Sequence, residues 1–287
     1  MKKIRIIGVP EHFNYPWIRL VEKQAIPGYE LEWTNESRGS GAMNKALRED
    51  EADIAIILTE SYIKDKIEGN PGLMIGYHVR SPLTWGIHVP AQSAVQTVED
   101  LRGKPFLISR YGSGSHLMAF VLAQKHNWEG QELKFEVVGN MDGALDSFKD
   151  QEAKAFLWEK YTTKPLVDQG HFRRVGEIPT PWPCFAIIAQ QKLVNEQPEV
   201  LQMVLKELYK ESKAISSLPE LSSLLSEQYQ IQQADIEAWL LQTQWAESSE
   251  VSRESLSNTV DTLFDLGLIS EKISAEDLVS TTLVSLK

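Results

Sequence analysis

Short apolar segments alternate with amphipathic ones over the first 190 residues, and this alternation restricts the possible folds more than any other feature. Apolar runs of strand length lie at residues 4–9, 29–36, 52–58, 73–79 and 84–90. A second set lies at residues 106–109, 135–139, 154–159, 171–178 and 184–190. Segments with helical periodicity lie between several of these runs. Because strands that alternate with helices usually pair in parallel, the pattern predicts an α/β chain built from two such units.

The composition changes after Pro198, where glycine becomes rare and amphipathic patterns continue to the end. Four segments predict helices, at residues 200–215, 234–246, 252–269 and 274–286. Ser252 and Ser274 stand at the start of two of them, where a serine oxygen can accept a hydrogen bond from a free amide of the first turn. We therefore expect a helical C-terminal tail.

A Gly-Ser-Gly sequence stands directly before a helical pattern twice, as RGSGAMNKAL (38–47) and as YGSGSHLMAF (111–120). The first amides of a helix lack intrahelical partners and carry a partial positive charge. Glycine lets a ligand approach the backbone closely, and serine can cap the helix or offer its hydroxyl outward. Two such loops that face each other predict a clamp for an anionic or strongly polar group. The alternative, that each loop only caps its helix, stays open.

Several functional classes find no support in the sequence. Gly112 and Gly114 begin a G-x-G-x-x-G pattern, but Leu117 occupies its sixth position, and neither a P-loop nor a G-x-S-x-G motif occurs. The net charge of −11 argues against a nucleic-acid partner. No two histidines show H-x-x-x-H spacing and Cys184 is the only cysteine, so we expect neither a metal nor a cofactor. A Ser-His-Asp triad stays an open alternative.

Three longer stretches resemble a known family in their order and spacing. They are GSGAMNKALREDEADIAI (39–56), VEDLRGKPFLISRYGSGSHLMAFVLAQKHNW (98–128) and GALDSFKDQEAKAFLWEKYTTK (143–164). Together they resemble the type II periplasmic-binding-protein superfamily, and within it the group that binds sulfonates, nitrate and thiamine precursors. Two positions depart from that pattern, since Glu51 stands where glycine is usual and Lys160 where proline is usual. The helical tail also fits, so the resemblance covers nearly the whole chain.

The resemblance implies an α/β fold of two lobes, with mixed, mainly parallel sheets flanked by helices and a helical C-terminal tail. One lobe would comprise residues 1–88 together with 186–287, and the other residues 89–185. The ligand would sit in the cleft between the lobes, which would close on it by a hinge motion. Closure, and no catalysis, is what such a solute-binding protein performs.

Candidate ligand contacts follow from the loops and from the strand ends. In the loop after the first strand they are His12, Asn14, Tyr15 and Trp17, whose rings can stack on a planar ligand. In the two glycine-serine loops they are Ser40, Gly41, Tyr111, Ser113, Gly114, Ser115 and His116. For each group a structural role is the alternative, such as a hydrophobic patch or a helix cap.

Further candidates stand where strands end, because the carboxyl ends of strands line the clefts of α/β proteins. Glu60 and Glu159 follow two of the apolar runs, and we expect them to bind a basic group. Surface charge is the alternative for both. Trp158 and Trp182 are also candidates. Trp182 and Trp85 lie near the expected crossovers between the lobes, where hinge packing is the alternative.

The expected ligand is a small polar or anionic, planar metabolite that resembles a thiamine precursor, a sulfonate or nitrate. The protein would be the substrate-binding component of an ABC-type transport system or a cytosolic homologue, monomeric, and without membrane insertion or nucleic-acid binding. An ABC permease would be its partner if it is exported. The apolar stretch Ile4–Val9 is too short for an export signal, so the chain as it stands predicts a cytoplasmic protein, or a periplasmic one whose signal has been removed.

The rival hypothesis is a cytosolic cofactor-biosynthesis enzyme on the same fold, a lyase or a pyrimidine synthase. The pyrimidine synthases of thiamine biosynthesis carry a cysteine-rich iron-binding motif, which a chain with Cys184 alone does not contain. Relatives that process chorismate derivatives have an asparagine in the first loop, where this chain has Asn14. A third hypothesis is a regulatory sensor that contacts another protein. Fold alone does not decide among them.

Overall fold

The structure is a computed structural model that describes residues 1–128 and 132–287. Ten of the strands in these ranges form two five-stranded sheets, and two short ones pair separately. The strands are β1 (Lys2–Gly8), β2 (Tyr29–Asn35), β3 (Ile54–Leu58), β4 (Leu73–Val79), β5 (Thr84–Pro90), β6 (Pro105–Ile108), β7 (Lys134–Val137), β8 (Ala155–Glu159), β9 (Phe172–Pro179), β10 (Phe185–Ala189), β11 (Glu250–Val251) and β12 (Ser285–Leu286).

Helices flank both sheets and fill most of the C-terminal third. They are α1 (Tyr15–Lys23), α2 (Ser40–Arg48), α3 (Thr59–Ile67), α4 (Gly114–Lys125), α5 (Met141–Ser147), α6 (Lys164–Asp168), α7 (Gln191–Glu196), α8 (Pro198–Ile215), α9 (Leu221–Tyr229), α10 (Gln233–Leu240), α11 (Arg253–Asp265) and α12 (Ala275–Leu278). Within residues 1–128 and 132–287, no helix combines the length and the apolar character that crossing a membrane requires.

The two sheets have the same strand order. The first runs β2-β1-β3-β10-β4 and the second β7-β6-β8-β5-β9. In each, the first three strands are parallel, and the fourth is antiparallel to both of its neighbours. That fourth strand is the one that the chain forms just after it has crossed from the other lobe. This arrangement confirms the predicted two-lobed α/β fold with mixed sheets.

The chain changes lobes close to the expected positions. Strand β5 pairs with the second sheet along its whole length, so the chain leaves the first lobe before Thr84 and not between residues 88 and 89. Strand β10 returns to the first sheet at Phe185. Its five residues are all buried, as expected for a central strand that is covered on both faces.

The two segments that link the lobes are hydrogen-bonded to each other. The amide of Thr180 donates to the carbonyl of Leu83 over 2.9 Å, and the amide of Cys184 donates to the carbonyl of Ser81 over 3.1 Å. Helix α3 is tied to the same place, because the amide of Thr59 donates to the carbonyl of Cys184 over 3.0 Å. The hinge is therefore a paired double strand that is anchored to the first lobe.

The C-terminal elements pack on the first lobe, where α8 lies against α1 and α11 against α3. Both predicted N-caps are confirmed, since Ser252 Oγ accepts from the amide of Ser255 and Ser274 Oγ from that of Asp277. Helix α3 was not expected, because the apolar residues of TESYIKDKI are too few for a clear helical pattern.

Two predicted tail helices end early. The helix expected at 234–246 ends at Leu240, and the one expected at 274–286 is helical only over α12. In both cases the freed backbone pairs with the edge strand β4: Trp245 forms a bridge with Val79, and Val279 forms one with Met74. An edge strand offers unpaired amides and carbonyls, and their satisfaction outweighs the local helical tendency.

We expect Tyr62→Phe to lower the free energy of unfolding by about 1–2 kcal/mol, because a buried carbonyl loses its donor. The Tyr62 side chain is fully buried, and its hydroxyl lies 2.6 Å from the carbonyl oxygen of Leu278 and 3.1 Å from that of Gly72. Urea unfolding measures the change. Tyr111→Phe is the matched control, since this ring is 65% exposed and the substitution should cost less than about 0.5 kcal/mol. Equal effects of the two substitutions would contradict the assigned anchor.

Candidate functional site

The ends of four strands lead into one cleft between the lobes. Val9 follows β1, Leu58 ends β3, Ser109 follows β6 and Glu159 ends β8. The cleft holds about 520 Å³ of empty space, part of it open to solvent. Its lining consists of Val9, Glu11, Arg38, Gly39, Ser40, Leu58, Leu83, Trp85, Ser109, Arg110, Ser113, Gly114, Ser115, Trp158, Glu159 and Phe185.

Both glycine-serine loops open into this cleft, and each begins a helix there. Helix α2 starts at Ser40 after a Gly39 with positive φ of 79°, and no side chain caps it. Helix α4 starts at Gly114, and the side chain of Ser113 caps only the amide of His116. The first two amides of each helix therefore have no intrahelical partner and remain available to a ligand.

The serine hydroxyls mainly hold the loops in shape. Ser115 Oγ accepts from the amide of Ser109 over 3.1 Å and lies 3.0 Å from Ser113 Oγ. Ser40 Oγ accepts from the amide of Leu58 over 3.1 Å, which ties the start of α2 to the end of β3. Hydrogen bonds within the protein thus hold both loops in shape.

Two glycines allow the lobes to approach each other at this point. A Cβ atom on Gly41 would lie 1.8 Å from Arg110 Nη2, a residue of the other lobe. A Cβ atom on Gly114 would lie 2.7 Å from Trp85 Cη2 and 2.8 Å from Leu58 Cδ1. Side chains at either position would have to displace the opposing residue. At position 41 the flexible end of the Arg110 side chain would move, whereas at position 114 the ring of Trp85 and the side chain of Leu58 would have to shift.

Arg110 is the main positive charge inside the cleft. Its side chain is half-buried and forms neither a hydrogen bond nor an ion pair with residues 1–128 or 132–287. Burial lowers its pKa, and the charge of Asp65 acts in the opposite direction. Arginine stays protonated through shifts of this kind, so the cleft contains a guanidinium that has no direct ion-pair partner among residues 1–128 and 132–287. Arg38, by contrast, is largely exposed and is held by the carboxylate of Glu36.

Two carboxyl groups face the cleft from opposite lobes. Glu159 is buried, and its Oε2 accepts from the amides of Tyr161 and Thr162 and from the Thr162 hydroxyl. Burial raises the pKa of Glu159 to about 7, against the effect of these hydrogen bonds. Glu11 is half-buried as a residue. Burial of its carboxyl group, together with the charge of Glu159, raises its pKa to about 8.

Two tryptophans form flat apolar parts of the wall. Trp85 is 4% exposed, and within the described ranges its buried Nε1 has no hydrogen-bond partner. Trp158 is half-buried and stacks on Phe156, with ring centroids 5.2 Å apart and planes at 20°. Since Trp85 pairs with Glu159 across β5 and β8, an indole and a carboxyl group stand side by side.

Six of the predicted contacts line the cleft: Ser40, Ser113, Gly114, Ser115, Trp158 and Glu159. Gly41 lies beneath the guanidinium of Arg110. The other eight lie elsewhere. His12 and Trp17 are buried in the core of the first lobe, because the loop after β1 turns inward and packs its rings against Trp239 and His78.

Four of the remaining residues have structural roles or lie outside the cleft. Asn14 Nδ2 donates to the carbonyl of Val9 over 2.8 Å and borders a neighbouring pocket, next to the half-buried Tyr15. His116 Nδ1 accepts from the amide of Gly112 over 3.1 Å, so it closes its own loop. Tyr111 is largely exposed and makes an edge contact with the ring of His116.

The last two residues form a buried pair behind the cleft. Glu60 is fully buried, and its Oε2 accepts from Trp182 Nε1 over 2.7 Å. Trp182 belongs to the return linker, so this bond attaches the hinge to α3. Burial raises the pKa of Glu60 to about 7. The expected role of both residues in ligand contact is thus replaced by hinge packing.

Glu11, Arg38 and Arg110 line the cleft but were not among the expected contacts. For two of them the sequence held a usable signal, which is a position close to the carboxyl end of a strand. Arg110 stands two residues after β6 and Glu11 three residues after β1. The same signal had selected Glu60 and Glu159. In the part of the chain that the structure describes, no group of three or more His, Cys, Asp or Glu side chains could hold a metal ion.

Comparison with known proteins supports this architecture. The family model of Ca3427-like periplasmic-binding proteins matches residues 85–178. The CA3427 gene product of Candida albicans, described as having the generic periplasmic-binding-protein fold, superposes with a TM-score of 0.89 at 24% identity, over 100% of this chain and 99% of that one. No curated protein sequence is similar enough to this chain to count as a match.

Two bacterial proteins are also similar in structure. The alkanesulfonate-binding protein SsuA of Xanthomonas axonopodis pv. citri, bound to MOPS, gives a TM-score of 0.80 at 16% identity, over 100% of this chain and 99% of that one. The ligand-binding component of an ABC-type import system of Staphylococcus aureus, with zinc bound, gives 0.78 at 12% identity, over 99% and 98%. The chain thus has the type II periplasmic-binding-protein fold, and the predicted resemblance is confirmed. Within that fold, the Ca3427-like match falls on the residues of the second sheet.

We expect Glu60→Gln to reduce the loss of stability of the protein as the pH rises. The raised pKa means that the folded state favours the protonated carboxyl group, so the wild type loses this stabilisation as the pH increases from about 4.5 through about 7. Glutamine cannot ionise and still offers an oxygen to Trp182. Urea unfolding at pH 5, 6, 7 and 8 should show the variant gaining on the wild type at each step.

The exposed Glu196→Gln is the control, and its curve should run parallel to that of the wild type. All other titrating groups are common to the three proteins and cancel in the differences. Parallel curves for Glu60→Gln and the wild type would show that Glu60 is ionised in the folded state throughout this range.

Proposed function

We propose that the protein is a solute-binding protein, which closes its two lobes around a small molecule with an anionic or strongly polar group. The observation that carries the proposal is the position of Arg110. Its guanidinium lines the cleft beside the starts of α2 and α4, and it has no partner within the described residues. A half-buried cation without a counterion favours the uptake of an anion.

The surroundings of Arg110 suit the same kind of ligand. The starts of α2 and α4 each offer two free amides and the positive end of a helix dipole. One start belongs to each lobe, so a ligand that contacts both is bound more strongly in the closed form. This differential affinity is what a ligand needs in order to drive closure.

The walls indicate a planar or compact apolar body. Trp85 and Trp158 offer ring faces, and Leu58, Leu83 and Phe185 supply aliphatic and aromatic surface. A sulfonate fits these features, and the alkanesulfonate bound by the structurally similar SsuA supports this choice. Nitrate and a pyrimidine precursor of thiamine are the other members of the proposed class. The pyrimidine would use the flat walls, and nitrate only the anion site.

The biological setting is part of the proposal. The description of the Staphylococcus aureus protein as part of an ABC-type import system supports a role as the substrate-binding component of a transporter. In that role the protein would act on the outer side of the membrane and deliver its ligand to a permease. A cytosolic homologue would use the same cleft to carry or sense its ligand.

A second candidate function is an enzyme on this fold, and one observation favours it. Glu159 and Glu11 have pKa values of about 7 and about 8, so each can exchange a proton near neutral pH. Perturbed carboxyl groups in a cleft are typical of acid–base sites. The fate of the bound compound separates the two functions.

The test is thermal unfolding of the purified protein with a panel of sulfonates, nitrate, thiamine pyrimidines, aromatic carboxylates and chorismate derivatives. A ligand at a hundredfold excess over its Kd should stabilise the native state by about 2.7 kcal/mol. Arg110→Ala should weaken binding of the selected compound by about tenfold to a hundredfold, because a charge-assisted contact is lost. Isothermal titration calorimetry measures the change.

Arg102→Ala is the matched control, since Arg102 is exposed and lies outside the cleft lining, and it should bind like the wild type. Equal affinity of the Arg110→Ala variant and the wild type would overturn the assigned anion site. Recovery of the compound unchanged after long incubation supports a binding protein, whereas its consumption would establish the enzyme.

A further inference from the structure

Two carboxyl groups, one from each lobe, line the cleft. Glu11 follows β1 in the first lobe, Glu159 ends β8 in the second, and both line the one cleft. They are close enough for the charge of Glu159 to act on Glu11. Glu159 uses only Oε2 in its three hydrogen bonds, and Glu11 has no side-chain hydrogen bond to the described residues. Three carboxyl oxygens are therefore left without a donor among the described residues.

The neighbouring charged groups do not neutralise this pair. Arg38 is bound to Glu36, and Lys160 is bound to Glu177 and only weakly lowers the pKa of Glu159. Arg110 lines the same cleft, but the charge that acts on Glu11 is that of Glu159. From the C-terminal side Glu11 faces Tyr229, whose phenol is itself kept neutral by burial. Among the described residues, no cation forms an ion pair with either carboxyl group, and Lys160 acts on Glu159 only from its own ion pair with Glu177.

An ionised pair in this position opposes closure. Each carboxylate loses water when the lobes approach, and the two like charges repel each other in a medium of lower dielectric constant. One positive charge between them removes both costs. The open form, in which the two groups are separated and hydrated, has no such requirement. Closure is therefore coupled to the uptake of a positive charge.

We propose that the cleft binds a zwitterionic ligand, with a protonated nitrogen between Glu11 and Glu159 and an anionic group at Arg110. The inference rests on the proposed solute-binding function and adds the class of ligand to it. An ammonium or amidinium group fits, because each offers several N–H donors to the free carboxylate oxygens. The positive end of the ligand would contact the two carboxyl groups, and its negative end would contact Arg110.

Without a ligand, a proton takes the place of the nitrogen. The raised pKa values of Glu11 and Glu159 belong to the pair, which binds one proton more tightly than an isolated carboxylate would. The empty protein should therefore be closed at low pH and open as the pH rises through about 8. This dependence reports on the pair and does not require any ligand.

The first experiment compares taurine with isethionate, two sulfonates of the same length that differ in an ammonium against a hydroxyl group. Calorimetry at pH 8 should show taurine binding at least about tenfold more tightly to the wild type. Glu11→Gln should reduce this preference to about threefold or less by weakening taurine alone. Equal affinities of the wild type for both sulfonates would overturn the proposal.

Arg110→Ala distinguishes this failure from that of the proposed function. If both sulfonates bind the wild type equally and Arg110→Ala weakens both, the anion site stands and the zwitterion assignment falls. If neither sulfonate binds, the sulfonate form of the proposed function fails, and the second experiment decides on the carboxyl pair.

The second experiment follows the empty protein by small-angle X-ray scattering in EDTA at pH 5.5 and 8.5. The radius of gyration of the wild type should increase at pH 8.5, whereas Glu11→Gln should stay compact. The exposed Glu22→Gln is the control and should open like the wild type. Circular dichroism checks that all three are folded. The same radius for Glu11→Gln and the wild type at both pH values would overturn the coupling. Compaction at pH 8.5 by zinc or calcium added after removal of the EDTA, with no preference for taurine, would assign the pair to a metal ion and also overturn the zwitterion.

Discussion

Two glycines let side chains of the cleft lie directly against the starts of helices α2 and α4. Gly41 lies under the guanidinium of Arg110, and Gly114 lies against the rings and methyl groups of Trp85 and Leu58. Gly41 belongs to the first lobe and Arg110 to the second. Gly114 of the second lobe contacts Leu58 of the first lobe and Trp85, which lies just after the crossover. Alanine at position 41 would push the guanidinium of Arg110 away from the start of α2, and alanine at position 114 would displace Trp85 and Leu58. The place of the positive charge in the cleft therefore depends on a steric fit.

The lining of the cleft carries groups of both charges. Arg110 and the starts of α2 and α4 favour negative charge, while Glu11 and Glu159 favour positive charge. Because the acidic pair is divided between the lobes, the proposed closure would bring its two charges together. The same residues would then influence both which ligand is bound and which conformation is populated. In the hinge, Glu60 and Trp182 form a separate buried hydrogen bond.

Much of the architecture could be predicted from residue patterns, and the failures have physical causes. Central strands such as β3 and β10 are continuous apolar runs, and the caps at Ser252 and Ser274 are local signals. The helix predicted for residues 274–286 was wrong beyond Leu278, because pairing with the edge of β4 is a long-range effect.

At the site, local sequence placed the helix starts correctly, but it could not show that the ring of Trp17 turns inward. The rule that strand ends line the cleft held for Glu159 and failed for Glu60. The helix that begins at Thr59 carries the Glu60 side chain behind the cleft wall.

The position of β10 has a consequence for biosynthesis. All five strands of the second sheet lie between residues 84 and 179, so this sheet is formed by one continuous segment of the chain. The first sheet lacks its fourth strand until residues 185–189 have been made, and β4 has no strand partner in that sheet before then. On the ribosome the second lobe can thus complete its sheet while the first waits with two open edges. The order of assembly would be the reverse of the usual one, in which the N-terminal domain folds first.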